Sequence, residues 1–181
     1  MRTALDAVRM IQMNDPLEPD DVELVEVGLA DWAVTHGGSI TRPTDVISAQ
    51  FSLGYSVALR IVRRSNDVGL YMNPDLWTDP AFLAVIEKVK PYPMPVAPGE
   101  ELGARVTVTT RDGRRLEAVQ PAFRGHHTNP ASSGDIEEKF FETVAPVMSQ
   151  TRSEELVDAI RHVDEMHDVS ALVALLVPKT L

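Results

Sequence analysis

The sequence predicts an α+β domain, a small antiparallel sheet with helices packed on one face. Three observations predict it. Apolar residues recur at helical spacing near both ends of the chain, two central segments alternate with the period of a strand, and an Asp-Gly pair separates alternating runs. At 181 residues, 44% of them apolar, the chain is long enough to bury a substantial core, and one domain over residues 1–181 is the default reading.

Taken in order, Leu5, Val8 and Ile11 share one helical face, and Asn14-Asp15-Pro16 ends that pattern with a turn signature. Val25, Val27 and Leu29 alternate with Glu26 and Gly28 as in a half-buried strand, and Leu24 beside Val25 breaks the phase, as a bulge would. From Asp45, the residues Ile47, Leu53, Val57, Ala58, Ile61 and Val62 form a helical stripe of about five turns, read as the central helix. Asn73-Pro74 and Asp79-Pro80 each open a further helix, the second burying Phe82, Val85, Ile86 and Val89.

Residues 91–98 are proline-rich, an extended connector or edge strand. Val106 and Val108, then Leu116 and Ala118, alternate with polar residues on either side of Asp112-Gly113, the strongest hairpin signal in the chain. Residues 121–134 are a loop by composition. Three helices follow: one carrying Ile136, Phe140, Phe141, Val144 and Val147, one opening with Thr151 and Glu154 as a capping box, and one running from Asp168 to Leu176.

A formal charge of −10 opposes binding to nucleic acid or an anionic membrane, since both need positive potential at the contact. No apolar run approaches the roughly 18–20 residues of a membrane helix, and the first residues lack the continuous apolar stretch of a signal peptide. The absence of cysteine removes thiolate chemistry and suits a cytoplasmic protein. No metal is expected: none of the five histidines has the i, i+4 pairing of a zinc protease, and on one helix His162 and His167 would point about 140° apart. No phosphate loop or nucleophile elbow is present, and nothing calls for a cofactor.

Two segments carry functional groups. Gly37-Gly38-Ser39 gives close backbone access, Arg42 precedes a helix N-terminus where it can receive a carboxylate, and Gln50, Ser52 and Tyr55 offer hydrogen-bonding groups. The plainer reading pairs Arg42 with one of the chain's many acids and packs Tyr55 in the core. Gly125-His126-His127 is the other segment, either a functional loop or a sheet-to-helix connection with exposed imidazoles.

Arg42-Pro43 followed by Ala49-Gln50-Phe51-Ser52-Leu53-Gly54-Tyr55-Ser56-Val57-Ala58 resembles a motif of the MmgE/PrpD family. Asp6-Ala7, Asp79-Pro80 before a helix ending at Lys88-Val89, the Asp112-Gly113 turn, and Gly125-His126-His127-Thr128-Asn129-Pro130 with Lys139-Phe140 come in that family's order. The resemblance is to the family's C-terminal α+β lid domain. It implies dehydration, decarboxylation or epimerisation of small polycarboxylates, without an obligatory metal, at a site between the lid and a large helical domain. It also implies that the catalytic lysine, histidines and acids belong to segments other than this chain, and that a family active-site tyrosine falls at or near Ser39. Substrate contacts from this side are then Arg42, Ser39 and Gln50, with His126 and His127 as further candidates.

Two expectations follow. One is a C-terminal domain or small subunit of such a lyase or isomerase, inactive alone and working with a separate helical domain. The other is a non-catalytic module derived from such an enzyme that binds a partner or assembles as a homo-oligomer.

Overall fold

A computed structural model describes residues 1–177, so the last four residues of the chain lie outside the described residues. The described residues form two compact units that divide between Pro130 and Ala131.

The first unit is built on a four-stranded sheet. Its strands are β1 (Val22–Leu29), β2 (Val89–Pro93), β3 (Ala104–Thr110) and β4 (Arg115–Gln120), in the order β2-β1-β3-β4. β1 pairs antiparallel with β3, and β3 with β4, while β1 and β2 run parallel. The α+β reading therefore holds, with one parallel pair in a mostly antiparallel sheet.

Each strand follows from its sequence. The β1 register shifts between Val22 and Leu24, where the alternation breaks. At the β3–β4 turn, Gly113 at φ 86° takes the left-handed position, and its amide donates to the Thr110 carbonyl at 2.8 Å. β2 carries Pro91 and Pro93, which it tolerates as an edge strand. β1 is engaged through the Lys88 carbonyl at 2.9 Å and the Met94 amide at 2.8 Å, so the odd-numbered positions holding the prolines turn their nitrogens outward.

Side chains alternate across this sheet. Val25, Val27 and Leu29, with Val106, Val108 and Ala118, enter the core, whereas Glu26, Arg105, Arg115 and Glu117 line the opposite, polar face. Gly28 lies on that second face beneath Tyr92, whose hydroxyl oxygen would be 2.6 Å from an added Cβ. Only glycine allows the approach.

The core face is covered by α1 (Arg2–Asn14), which packs on β3 and β4, and by α4 (Leu53–Arg63), which packs on α1 and β2. α4 is the most deeply buried element. Leu53, Tyr55, Val57, Ala58, Leu59 and Ile61 are all 0% exposed. Tyr55 is a core residue, in edge-on contact with Phe82 at 5.1 Å and donating its hydroxyl to the Leu70 carbonyl at 3.0 Å; burial pushes its pKa up to about 12.

The long stripe read from Asp45 onward is two helices, α3 (Val46–Phe51) and α4, separated by Ser52 in an extended conformation. The hydroxyl of Ser52 accepts from the Tyr55 amide at 3.1 Å, capping α4, and donates to the Ile40 carbonyl at 2.6 Å. This restart turns α3 away from the core, leaving Ile47 69% exposed. Around these lie α2 (Asp31–Gly37), α5 (Val68–Tyr71), α6 (Pro74–Thr78) and α7 (Pro80–Ile86), the last capped by the Asp79 carboxylate.

The second unit holds α8 (Ser133–Val144), α9 (Gln150–Arg161) and α10 (Ser170–Leu176). α9 is capped by Ser149 rather than by the Thr151 capping box read from sequence, because the helix starts two residues earlier and the Arg152 amide meets the Ser149 hydroxyl at 3.4 Å. Arg161 pairs with Glu137, linking α9 to α8. Arg152 donates to the carbonyls of Ala174, Leu175 and Val177, closing the C-terminal end of α10.

Leu59→Ala opens a cavity in the first unit and is expected to lower its unfolding free energy by about 2–5 kcal/mol, measured by denaturant titration. Val173→Ala, at an exposed site on α10, is expected to change the stability of the second unit by about 0.5 kcal/mol or less.

Candidate functional site

The residues singled out by sequence occupy two places. Ser39, Arg42 and Gln50 lie on the stretch between α2 and the end of α3. Its backbone is fixed at both ends of α3: Asp45 and Ser48 form a reciprocal capping box, the Ser48 amide reaching the Asp45 carboxylate at 2.7 Å, and Ser52 holds Ile40. Pro43 is buried between them. The functional side chains on this frame point outward. Ser39 is exposed, its hydroxyl donating weakly to the His36 carbonyl at 3.4 Å; Gln50 is exposed on α3.

Arg42 pairs with Glu87, the residue that ends α7, at 3.2 Å. The two side chains are 73% and 67% exposed, so the pair is worth about 0–1 kcal/mol and is readily exchanged for another anion. Ser52 and Tyr55, read as hydrogen-bonding groups of this segment, face inward instead. Both are 0% exposed and serve the fold.

His126 and His127 stand on the turn after β4. Gly125 at φ 94° sets its direction, its amide donating to the Asn129 carbonyl at 2.8 Å while the Asn129 side chain donates to the Ala122 carbonyl at 3.0 Å. The Arg124 amide donates to the Asp6 carboxylate at 2.7 Å, docking the turn on α1. The two imidazoles lie 4.1 Å apart, and His126 contacts the Phe123 ring edge-on at 5.4 Å. Nδ1 of His126 lies 2.9 Å from the Thr128 hydroxyl and 3.3 Å from the Thr128 amide.

The contacts of the histidine turn run to α1, and those of the 39–50 stretch run to α2, α4 and α7. The two sets therefore stand on different elements. A cleft of about 180 Å³ adjoins the histidine turn through Phe123 and is lined in part by Arg2, Leu29, Trp32 and Leu102 as well. Sequence reasoning missed it, because Trp32 sits on a short helix, α2, whose apolar residues show no strong periodicity. Among the described residues no group of three or more histidine, aspartate or glutamate side chains could hold a metal ion, and no helix is long and apolar enough to cross a membrane.

A one-sided sheet, backed by helices and presenting an exchangeable arginine beside a rigidly capped helix, defines an α+β domain that offers polar groups at its surface. Residues 1–165 match the family described as the MmgE/PrpD C-terminal domain, and the chain belongs to that family. Over 75 residues it is 31% identical to cis-aconitate decarboxylase of Homo sapiens, a match covering 41% of this chain and 16% of that protein. The aligned part is thus a small fraction of the relative's length.

Two measurements test this geometry. An added Cβ at Gly125 meets nothing within 4 Å, so Gly125→Ala should cost only its backbone strain, about 1 kcal/mol or more, and should shift the imidazole NMR signals of both histidines. The Ser48 amide, and after it the Ser48 hydroxyl, holds the Asp45 carboxyl below its ordinary range. A carboxyl lowered in the folded state stabilises it fully above the unfolded pKa of about 3.9, and that contribution fades as pH falls through the lower folded value. The Asp45 side-chain carbon should titrate with a midpoint below 3.8, and Ser48→Ala should raise it.

Proposed function

We propose that this chain is the lid domain of an MmgE/PrpD-type lyase or isomerase acting on small polycarboxylates, and that it turns over substrate only when joined to a helical domain of that family. The observation that carries the reading is Arg42. It stands on a pre-ordered segment, held by an exposed pair with Glu87, where a substrate carboxylate can replace the glutamate at little cost. Ser39 and Gln50 add hydrogen-bonding groups on the same stretch, and the histidine turn is a secondary candidate. Proton removal next to a carboxylate needs a base within hydrogen-bond reach, and the helical domain supplies it in this reading. Likeness to a decarboxylase makes cis-aconitate the first substrate to assay, followed by 2-methylcitrate.

A second reading, a non-catalytic module that associates with itself, is supported by the exposed Ile136, Ile160, Val173 and Leu176 on α8, α9 and α10. Light scattering separates the two readings, since the second requires a dimer or larger assembly without added partner.

The direct test mixes the chain with a helical MmgE/PrpD domain encoded in the same genome and follows loss of cis-aconitate or 2-methylcitrate. Turnover should require both components. Arg42→Ala should raise KM by about 5- to 150-fold, equivalent to about 1–3 kcal/mol of lost carboxylate binding. An unchanged KM removes Arg42 from the site, and absence of both complex and turnover overturns the proposal.

A further inference from the structure

We infer that Ile47 and Phe51 on α3, with Val68 on α5 and Met72 directly after it, form the surface on which the helical domain docks. This rests on the functional reading above and names the face that reading requires.

These two helices present their apolar residues the wrong way round for a free-standing domain. α3 fully buries only Ala49 and leaves Ile47 and Phe51 out, and α5 turns Tyr71 and the half-buried Leu70 to the core while Val68, and Met72 just past the helix, stay out. All four side chains are about half exposed or more, from 49% to 69%. Large apolar residues scattered singly are ordinary on a protein surface; four on or directly after two short helices that pack against each other make a patch of the kind that marks an interface.

The cause is visible in the chain. Ser52 interrupts the apolar stripe, so α3 keeps the composition of a core helix while its stripe no longer follows that of α4 into the core. The inversion is held in place. The Asp45–Ser48 box fixes the start of α3, and Tyr55 and Tyr71, 5.7 Å apart, anchor α5 against α4. A surface ordered before binding loses little conformational entropy when it docks.

Position selects the occupant. Phe51 follows Gln50 directly, and Ile47 shares the same helix, so the apolar face borders the stretch that carries Ser39 and Arg42. A domain that brings a catalytic base to a carboxylate held at Arg42 has to approach across this border. The family match is to a C-terminal domain, and the alignment takes in 16% of cis-aconitate decarboxylase, so related chains carry extensive further structure able to cover such a face. Phe51 is the best anchor, because aromatic side chains at the centre of an interface contribute disproportionately.

The test measures, by calorimetry, binding of the same helical MmgE/PrpD domain to the wild-type chain and to Ile47→Glu, Phe51→Glu, Met72→Glu and, as a control, Val119→Glu on the polar sheet face. All four positions are exposed, and melting curves confirm that the variants fold. Loss of affinity by tenfold or more for the α3 and α5 variants, with Val119→Glu unchanged, is the expected result. Equal binding by all variants overturns the docking face while leaving the functional reading standing. No binding by the wild-type chain overturns both. A wild-type homodimer that Phe51→Glu converts to monomer assigns the face to a second copy and overturns the helical domain as its occupant.

Discussion

A single buried hydroxyl, that of Ser52, determines how the helical layer meets the surface. It ends one helix, starts the next and binds the Ile40 carbonyl in the preceding loop. Buried polar groups must be paired, and this one is paired in two directions at once, which ties the stretch carrying Arg42 to the most buried helix of the domain. α4 can then dedicate nearly every residue to the core while α3, six residues long, faces outward. The exposed apolar side chains of α3 and its neighbour α5 are the outward side of the same arrangement.

The sheet divides the labour differently. Its apolar face receives α1 and α4, and its other face carries charges in cross-strand relation, such as Glu26 near Arg115 at 4.0 Å and Thr107 donating to Glu117 at 3.1 Å. β2 protects one edge by placing proline nitrogens where pairing hydrogens would otherwise be offered. The polar sheet face and this blocked edge both oppose association there.

Much of the fold was legible where local chemistry and tertiary structure agree. The Asp112-Gly113 hairpin, the break of phase at Leu24, the Asn73 and Asp79 caps before prolines, and the helices after residue 132 all declare themselves through turn residues and periodicity. The break at Ser52 did not, because an apolar stripe looks the same whether one helix continues or a second restarts in phase. α2 and α5 are too short for periodicity to register, and the parallel pairing of β1 with β2 is a long-range fact that no local pattern encodes. For the site, residue type singled out Arg42 as a candidate, and the structure separates the outward Arg42 and Gln50 from the inward Ser52 and Tyr55.

That long-range pairing reaches into the kinetics of assembly. β3 and β4 close through a short turn, whereas Val25 meets Val89 only after the intervening helices have been gathered in. Closing a long loop costs chain entropy before any contact rewards it, so the β3–β4 hairpin is the element expected to organise first, ahead of the pairings of β1 with β2 and β3 and the packing of α1, all of which join distant parts of the chain. Every feature assigned to substrate or partner on α3 and α5 lies inside that crossover. An insertion or substitution there can alter the exposed surface of α3 and α5 while leaving the registers of β1, β3 and β4 in place.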